Sequence, residues 1–443
     1  MLKESISGLR GLVGDGLDPE VIIAYCAAFS KILPAGPIVI ARDSRPSGGP
    51  IAQLVCATLK LLGRDTIYVG IQTTPTAEVI TERTDAAGGI IITASHNPPE
   101  WNALKFVGKD GIFFDTDEFE KLKAVSLEKP NWVAYNAIGG GESLDDAAQM
   151  HIDAIIWLPW LEAHAIRDAR FKVVVDANGG TGSIVLLPLL EKLGCEVISI
   201  GCEPDGVFIH PPEPIPENLK SLEQKVKENG ADIGFATDPD ADRLALVDET
   251  GKAIGEEYTL AIGAAEVLEY NPGPVVVNLS TSAMVESLGQ PVFRTPVGEI
   301  NVARKMLEID SPVGGEGNGG LIIPACHPGR DGPLAAAVIL HRMARTGKKL
   351  SELTAEFPKL YMIKTKISHT GFGQVTDPPI REKIENVFAP IDINTTDGIR
   401  ITVTGGWLHI RESNTEPILR IIAEADSEAL ARGLVDKARR LLE

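Results

Sequence analysis

Two short polar segments combine residue types that suit phosphate chemistry. Thr93 to Pro98 (TASHNP) follows the apolar run Gly89 to Ile92 and presents a hydroxyl at Ser95. Thr237 to Arg243 (TDPDADR) follows another apolar run and alternates three aspartates with other residues. Alternating carboxylates let one turning segment direct several hard oxygens at a divalent cation such as Mg²⁺, with room for a phosphate oxygen. We therefore predict a metal site at Asp238, Asp240 and Asp242.

Two other interpretations of the acidic segment deserve comparison. Its spacing resembles that of an EF-hand calcium loop, and Glu249 falls at the twelfth position. However, Arg243 stands where an EF-hand needs its glycine, and Leu244 to Val247 has the pattern of a strand. An acidic turn in contact with solvent is the other alternative. The composition favours a metal site associated with phosphate.

Ser95 has a structural and a chemical interpretation. A Ser-His-Asn-Pro segment is often a turn, because Ser and Asn hydrogen-bond to nearby backbone and Pro ends a strand. A hydrolase triad is disfavoured, since the sequence has no GxSxG elbow and the adjacent His96 is poorly placed as a base. A serine that carries a phosphoryl group beside the metal stays open.

Two later loops offer groups for a sugar phosphate. The segment GGEGNGG contains a GxGxxG pattern, but a strand rather than a helix follows it, which argues against dinucleotide binding. Either it is a plain turn, or its glycines admit a ligand while Glu316 and Asn318 hydrogen-bond sugar hydroxyls. The segment RESNTEP is either a solvated turn or a phosphate site. Its candidate ligands are Arg411, Ser413, Asn414 and Thr415, with Arg420 beyond.

The elements that must position these loops alternate between helix and strand. The alternation begins near Pro19, restarts near Phe171 and restarts again near Pro274. It predicts an α/β protein of three related mixed α/β sheet domains, with helices on both faces of each sheet. From residue 362 the pattern instead predicts a smaller C-terminal α+β domain. Ligands of open α/β sheets bind beyond the carboxyl ends of strands, so we expect the loops to meet at a central cleft.

The chain length is consistent with this division. At about 150 residues per domain, 443 residues correspond to three or four units. We interpret the segment near Asn136 as a linker and Cys202 to Glu217 as a long surface loop. We expect the domains at 1–145 with the serine loop, 146–250 with the metal loop, 251–361 with the sugar-binding loop and 362–443 with the phosphate-binding loop.

Composition excludes several classes of function. Hydrophobic residues make up 44% of the chain and charged residues 23%, as in globular proteins. The net charge of −19 argues against nonspecific nucleic-acid binding. No apolar stretch reaches the ~18 residues of a spanning helix, and the N-terminus lacks a signal-peptide core, so we expect a cytoplasmic protein without a membrane partner. The five scattered cysteines predict reduced thiols, and no oligomeric state is predicted.

Five segments taken in order resemble the motifs of the α-D-phosphohexomutase family: SGLRG, TASHNP, DPDADR, GEGNG and RESNTEP. The resemblance covers essentially the whole chain. It implies an enzyme that interconverts hexose 1-phosphate and 6-phosphate through a phosphoserine and a 1,6-bisphosphate intermediate. It also implies one Mg²⁺ per chain, held by phosphorylated Ser95 with Asp238, Asp240 and Asp242, and hexose 1,6-bisphosphate as activator.

The same resemblance implies roles for the remaining candidates. Arg10, Lys105 and Arg243 would line the reaction centre, Glu316 and Asn318 would hold sugar hydroxyls, and the Arg411 loop would bind the distant phosphate. The forms GEGNGG and SNTEP are similar to archaeal-type members. Gly320 and Pro296 to Glu299 stand where many bacterial members carry histidines, so those features are not transferred. We expect a glucosamine phosphate as substrate, with mannose and glucose phosphates as the alternative.

Two rival functions come from other classes. A haloacid-dehalogenase-type phosphatase also places DxD after an apolar strand, with Asp238 as its nucleophile. Asp242 then stands where such enzymes usually carry Thr or Val, and Ser95 is left without a role. A noncatalytic sugar-phosphate-binding protein is the second rival, and phosphorylation of Ser95 distinguishes it from a mutase.

Overall fold

The computed structural model describes residues 2–6, 8–368, 374–412 and 418–442. Within them the chain forms four successive units, each built on its own sheet. Helices cover sheets of mixed strand direction in the first three units, and the fourth sheet is antiparallel. Across these ranges no helix has the length and apolar character needed to cross a membrane. The predicted fold class is confirmed.

The first unit runs from β1 to β8. Its elements are β1 (Lys3–Ser5), β2 (Gly8–Val13), β3 (Gly16–Leu17), α1 (Pro19–Ile32), β4 (Ile38–Arg42), α2 (Gly48–Leu61), β5 (Thr66–Ile71), α3 (Thr74–Arg83), β6 (Gly88–Ile92), β7 (Trp101–Gly108), α4 (Thr116–Ser126) and β8 (Gly141–Ser143). The sheet order is β1-β2-β7-β6-β4-β5-β8, and β3 pairs with β2. Ile90 and Ile92 of β6 enter one core and Ile91 enters another, because successive strand residues face opposite sides of the sheet. The uninterrupted apolar run before Ser95 is therefore buried on both faces.

The segment near Asn136 departs from its predicted role as a linker. It contains a 3₁₀ turn at Tyr135–Ala137 and ends in β8, which pairs in parallel with β5. Thr66 N donates to Gly140 O at 3.2 Å, and Gly140 N donates to the Asp65 carboxylate at 2.6 Å. The edge of β5 needs partners for its backbone groups, and this segment supplies them.

The second unit carries the acidic segment between its last two strands. Its elements are α5 (Ala147–Ile156), α6 (Ala163–Ala169), β9 (Lys172–Asp176), α7 (Gly182–Lys192), β10 (Glu196–Ile200), α8 (Lys220–Asn229), β11 (Ile233–Thr237) and β12 (Leu244–Asp248), with a 3₁₀ turn at Pro216–Asn218. The order is β10-β9-β11-β12, with β11 and β12 antiparallel. The acidic segment is therefore a short connection at one end of the sheet.

The third unit carries the Gly-rich segment between two strands, and a strand follows this segment as predicted. Its elements are α9 (Glu257–Tyr270), β13 (Val275–Asn278), β14 (Val292–Thr295), α10 (Glu299–Glu308), β15 (Val313–Glu316), β16 (Gly320–Ile323), β17 (His327–Arg330), α11 (Gly332–Thr346) and α12 (Leu350–Thr354). The order is β14-β13-β15-β16-β17. Because β15 pairs with β16 as far as Glu316 and Gly320, the turn is confined to 317–319. A 3₁₀ helix spans Ala283–Leu288 and ends at the left-handed Gly289.

The fourth unit is an antiparallel sheet with helices. Its elements are β18 (Tyr361–Ser368), α13 (Pro378–Phe388), β19 (Asp392–Asn394), β20 (Ile399–Val403), β21 (Gly406–Glu412), β22 (Ile418–Ala425) and α14 (Glu428–Leu442). The order is β18-β22-β21-β20-β19. Apolar residues of α14 pack with those of β21 and β22 in one core. β20 and β21 form an antiparallel hairpin, with Gly405 at φ +79° just before β21.

The second and third units share a hydrophobic core, which brings their functional loops together. Phe235 and Leu246 belong to the same buried cluster as Leu321 and Leu334. The Leu244 N–H, which follows the acidic segment, donates to Gly319 O at 3.0 Å. A backbone hydrogen bond therefore connects the end of the acidic segment to the Gly-rich turn.

Candidate active site

The serine predicted to carry a phosphoryl group lies at the end of β6 in an unusual conformation. Ser95 has φ +48°, in the left-handed region that few non-glycine residues adopt. Its N–H donates to Thr93 Oγ1 at 3.0 Å. Arg45 Nη2 donates to the carbonyls of Ser95 at 2.7 Å and Asn97 at 2.5 Å. These hydrogen bonds hold Ser95 in its strained backbone conformation. In this conformation the hydroxyl points towards the acidic segment.

Sequence reasoning missed the pair that supports the serine loop. Arg45 and Asp43 are completely buried and form an ion pair, and Asp43 also accepts from Thr93 Oγ1 at 2.6 Å. Both residues follow β4, the parallel neighbour of β6. Charged residues immediately after a buried strand were the available signal, but their partner lies fifty residues away along the chain.

The three aspartates converge beside Ser95. All three are completely buried, and one ligand atom from each lies within 4.8 Å of the others. Ser95 Oγ donates to Asp238 Oδ2 at 2.9 Å. Lys105 Nζ and Thr74 Oγ1 each contact Asp240 Oδ2 at 2.7 Å, and Arg330 Nη2 contacts Asp242 Oδ2.

In both Asp240 and Asp242, hydrogen-bond donors contact one carboxylate oxygen, Oδ2, and leave the second oxygen, Oδ1, without a hydrogen-bond partner among the described residues. Asp240 Oδ1 and Asp242 Oδ1 are buried and have no such partner among the described residues. Unpaired buried carboxylate oxygens are costly unless a cation compensates them. Together with Asp238 beside the serine hydroxyl, they form a set of hard oxygen donors that fits a divalent metal ion such as Mg²⁺.

The pKa values of Asp238 and Asp240 shift in opposite directions because different charges surround the two carboxylates. Burial, followed by the charges of Asp242 and Asp240, raises the pKa of Asp238 well above its ordinary value. Burial by itself would raise the pKa of Asp240 too, but the Lys105 ammonium and the Thr74 hydroxyl reverse this effect and lower it. A cation in the cluster would relieve the repulsion that acts on Asp238.

The predicted cationic residues surround the same point. Arg10 Nη1 donates to Asn97 Oδ1 at 2.5 Å, and Arg243 Nε lies 3.8 Å from Asp242 Oδ1. Burial lowers the pKa of the Arg10 guanidinium; Asp240 opposes this effect, and the positive charge of Arg243 adds to it. Together with Lys105, these groups place positive charge around the Ser95 hydroxyl, as a phosphoryl group requires.

The position of His96 differs from expectation. Its Nδ1 lies 3.3 Å from Ser95 Oγ, within hydrogen-bond distance, although adjacency was predicted to place it poorly. The left-handed backbone at Ser95 turns the two side chains towards each other. Burial, and then the charges of Arg243 and Arg10, lower the pKa of His96 well below its ordinary value. This shift favours the neutral form of the imidazole beside the serine hydroxyl.

Glu316, the last residue of β15, lies in a network of hydrogen-bond donors. Its Oε1 accepts from Asn278 Nδ2 at 2.7 Å and from Gly298 N at 3.1 Å. Its Oε2 accepts from Arg330 Nη1 at 2.8 Å and from Asn318 Nδ2 at 3.4 Å. Burial would raise the pKa of Glu316, but Arg330 reverses this effect and lowers it. Glu316 is thus an ionised acceptor in a fixed orientation, with the half-buried Asn318 beside it.

The fourth unit contributes Arg411 and lies against the third. Arg411 Nε donates to Asp397 Oδ2 at 3.1 Å, and the same oxygen accepts from Val297 N at 2.9 Å. Val297 precedes Gly298, the backbone donor to Glu316. Arg420 is exposed on β22 directly opposite Arg411, so both lie on one face of the sheet. The remaining candidates of this loop lie outside the described residues: Ser413, Asn414 and Thr415.

A buried histidine connects the third and fourth units and predicts a pH effect. His409 Nε2–H donates to Asp397 O at 2.7 Å, and its Nδ1 contacts Ser280 Oγ at 2.9 Å. Burial lowers the pKa of His409 to about 4; Asp397 opposes this effect, whereas the nearby Arg411 and Arg400 add to it. An unfolded histidine titrates near ~6.5. Between these values the unfolded state binds more protons, so stability falls as pH drops from about 6.5 towards 4.

We expect His409→Gln to flatten this part of the stability profile. The measurement is the thermal unfolding midpoint from pH 4 to 7, compared with wild type. Exposed His164 provides the matched control, because its side chain is 72% accessible. An equally steep dependence in His409→Gln would show that other groups cause the acid sensitivity.

Four family models match the chain in order. They describe the phosphoglucomutase/phosphomannomutase alpha/beta/alpha domains I, II and III and C-terminal domain, and they match residues 2–130, 149–251, 256–361 and 373–441. Each of the first three models includes one of the loops described above: the serine loop, the acidic segment and the Gly-rich turn. The fourth includes Arg411.

Curated relatives and a solved structure match over nearly the whole length. A probable phosphoglucosamine mutase of Methanopyrus kandleri is 38% identical, covering 99% of this chain and 98% of that protein. A phosphoglucomutase/phosphomannomutase of Thermococcus kodakarensis is also 38% identical, covering 98% and 97%. A crystal structure of a Burkholderia thailandensis phosphoglucomutase/phosphomannomutase family protein superposes with a TM-score of 0.85 at 27% identity, covering 99% and 97%.

Proposed function

Because the chain belongs to the phosphoglucomutase/phosphomannomutase family, we propose that it interconverts the 1- and 6-phosphates of a hexose through phosphorylated Ser95. The observation that carries this proposal is the 2.9 Å contact between Ser95 Oγ and Asp238, within a cluster of three aspartates and several cations. Four domains, at 1–145, 146–250, 251–361 and 362–443, each supply one loop to the site.

The reaction consists of two phosphoryl transfers, and both involve the oxygen of Ser95. In the first, the bond between phosphorus and Ser95 Oγ breaks while a sugar hydroxyl oxygen bonds to phosphorus, which forms the 1,6-bisphosphate. In the second, Ser95 Oγ takes the other phosphoryl group. Each transfer moves one proton from the attacking hydroxyl to the oxygen that leaves. Neutral His96, 3.3 Å from Ser95 Oγ, is placed to accept the serine proton during the second transfer.

The residues of the cleft supply the positioning and the compensating charge. Lys105, Arg10 and Arg243 stabilise the charged oxygens of the phosphoryl group, which is the main requirement of phosphoryl transfer. One Mg²⁺ per chain, held by Asp238, Asp240, Asp242 and the phosphate on Ser95, would neutralise further charge there. Hexose 1,6-bisphosphate would serve as activator by phosphorylating Ser95.

We assign glucosamine phosphate as the preferred substrate, with mannose and glucose phosphates as the alternative. The full-length relative from Methanopyrus kandleri, named a probable phosphoglucosamine mutase, supports this choice. Glu316 and Asn318 would contact the sugar hydroxyls. A cytoplasmic location is part of the proposal, since all five cysteines are free, as suits a reducing compartment.

We expect Arg411→Ala to raise the KM for hexose 1-phosphate by about tenfold to a hundredfold. One charge-assisted contact to phosphate contributes about 1.5–3 kcal/mol, and Arg411 would bind the phosphate that is not transferred. The variant should also release more free 1,6-bisphosphate, because the fourth domain closes less tightly over the intermediate. Steady-state kinetics and bisphosphate release together check the result. Unchanged values of both would refute this role of Arg411.

The decisive experiment is ³¹P NMR of the protein with Mg²⁺ and a trace of hexose 1,6-bisphosphate. Glucosamine, mannose and glucose 1-phosphates are added in separate samples, with Ser95→Ala in parallel. Conversion of one sugar to its 6-phosphate by wild type alone supports both the mutase reaction and the substrate.

The same samples test the rival functions. Release of inorganic phosphate that persists in Ser95→Ala but stops in Asp238→Asn would support a phosphatase instead. Absence of turnover and of protein phosphorylation would support a binding protein.

A further inference from the structure

Arg330 connects three carboxylates that come from three different elements. It is the last residue of β17 and is 8% exposed. Its Nη1 lies 2.8 Å from Glu316 Oε2 at the end of β15, and its Nε lies 3.1 Å from Glu299 Oε2 at the start of α10. Its Nη2 contacts Asp242 Oδ2 in the acidic segment. One planar guanidinium therefore touches both the proposed metal site and the proposed sugar site.

The contacts of Arg330 determine which carboxylate oxygens stay available. Because Arg330 engages Asp242 Oδ2, it is Oδ1 that has no hydrogen-bond partner within the described part of the chain and can meet a cation. On the other side, Arg330 engages Glu316 Oε2 while Asn278 and Gly298 engage Oε1. The orientations of the two carboxylates thus depend on the position of the same side chain.

We infer that Arg330 is a positioning residue that couples the metal site to the sugar-binding turn. The inference depends on the proposed function for the identity of the two ligands. Displacing the guanidinium should therefore weaken the binding of both, although Arg330 itself contacts neither. A residue that only compensates buried charge would affect stability without this joint effect.

Gly320 provides the space that Arg330 occupies. A Cβ at position 320 would lie 2.2 Å from Arg330 Cδ and 2.9 Å from Arg330 Cγ, closer than packed atoms permit. The side chain of Arg330 therefore requires a glycine at this position of β16. Gly320 does not have a positive φ, so its backbone conformation is compatible with alanine. Gly320→Ala should displace the guanidinium without changing any charge. Its Cβ would also lie 3.1 Å from Asn318 Oδ1, so the change in Mn²⁺ affinity is the result that reports on Arg330.

Arg330→Lys is the complementary variant. It retains the positive charge, but an ammonium is a point charge and cannot reproduce the fork that reaches three carboxylates. Arg342→Lys is the matched control. Arg342 is 7% exposed and pairs with Glu266 at 3.4 Å and Glu356 at 2.8 Å, away from the acidic segment.

The test measures metal and substrate binding separately on the full-length protein. Mn²⁺ affinity is determined by electron paramagnetic resonance without sugar phosphate. Glucosamine 1-phosphate affinity is determined by calorimetry on protein saturated with Mn²⁺. Both Arg330→Lys and Gly320→Ala should weaken each affinity by about fivefold or more, the usual range of coupling between sites. Arg342→Lys should change each by less than twofold, whatever it does to the melting temperature.

The inference is overturned if Mn²⁺ affinity in Gly320→Ala and Arg330→Lys stays within twofold of wild type. It is also overturned if Arg342→Lys weakens Mn²⁺ binding equally. Failure of the proposed function is a different result, in which wild type converts no hexose phosphate in the ³¹P NMR experiment. The Mn²⁺ titration requires no turnover, so the two failures are distinguishable.

Discussion

Ser95→Ala is expected to lower mutase turnover by at least about 10⁴-fold, which is the scale reached when a covalent nucleophile is removed. Ser95 Oγ lies 2.9 Å from Asp238 and 3.3 Å from His96, at the point where the cleft's cations converge. Without this oxygen the chain has nothing at that position to accept a phosphoryl group. Water could attack a bound bisphosphate only slowly, since phosphate-ester hydrolysis is among the slowest uncatalysed reactions.

Two measurements check this result. Initial rates report the loss of turnover, and intact mass after incubation with hexose 1,6-bisphosphate reports whether the chain is phosphorylated. Wild type should gain one phosphoryl group and Ser95→Ala none. Ser183→Ala is a suitable control, because Ser183 is also buried but lies at the start of α7. Turnover within tenfold of wild type in Ser95→Ala would exclude the phosphoserine mechanism.

Asp240→Asn is expected to lower turnover by at least about 10³-fold and to raise the Mg²⁺ concentration for half-maximal activity at least about tenfold. Loss of one preorganised electrostatic contact in an active site typically costs about 10²–10³ in rate, and this change removes two. Asp240 Oδ1 has no hydrogen-bond partner among the described residues and would face the proposed metal, and Asp240 Oδ2 contacts the Lys105 ammonium at 2.7 Å. A neutral amide weakens both interactions.

The control for this variant is an aspartate on the next strand. Asp248 ends β12, is 5% exposed and accepts backbone N–H groups of its own turn, including that of Thr250 at 2.9 Å. Asp248→Asn should retain the wild-type dependence of activity on Mg²⁺. Thermal unfolding compares the stability of the two variants. If Asp240→Asn kept the wild-type Mg²⁺ dependence, Asp240 would not be a metal ligand.

Several features could be predicted from the sequence because their causes are local. The apolar run before Ser95 predicted a buried strand, and β6 is buried on both faces. The acidic segment was predicted as a connection between strands, since Leu244 to Val247 is apolar, and β12 begins at Leu244. The change of pattern from residue 362 likewise predicted the different architecture of the fourth unit.

Other features depend on partners that are distant along the chain. The edge of β5 recruits the segment 141–143 into the first sheet, and the pairing of β15 with β16 shortens the Gly-rich turn. Arg45 supports Ser95 from fifty residues away, and Arg330 contacts Asp242 from eighty-eight residues away. No local pattern distinguishes these arginines from charged residues of a surface turn.

The sequence by itself determined the chemical groups and their order along the chain. These groups are a serine, three alternating aspartates, a glutamate among glycines and an arginine in the last of the four domains. Only the tertiary structure decided how these groups are used. It engages the Oδ2 atoms of Asp240 and Asp242 and leaves their Oδ1 atoms without a hydrogen-bond partner among the described residues. The physical reason is that the state of a buried carboxylate depends on the donors that folding brings to each of its oxygens, and those donors come from other domains.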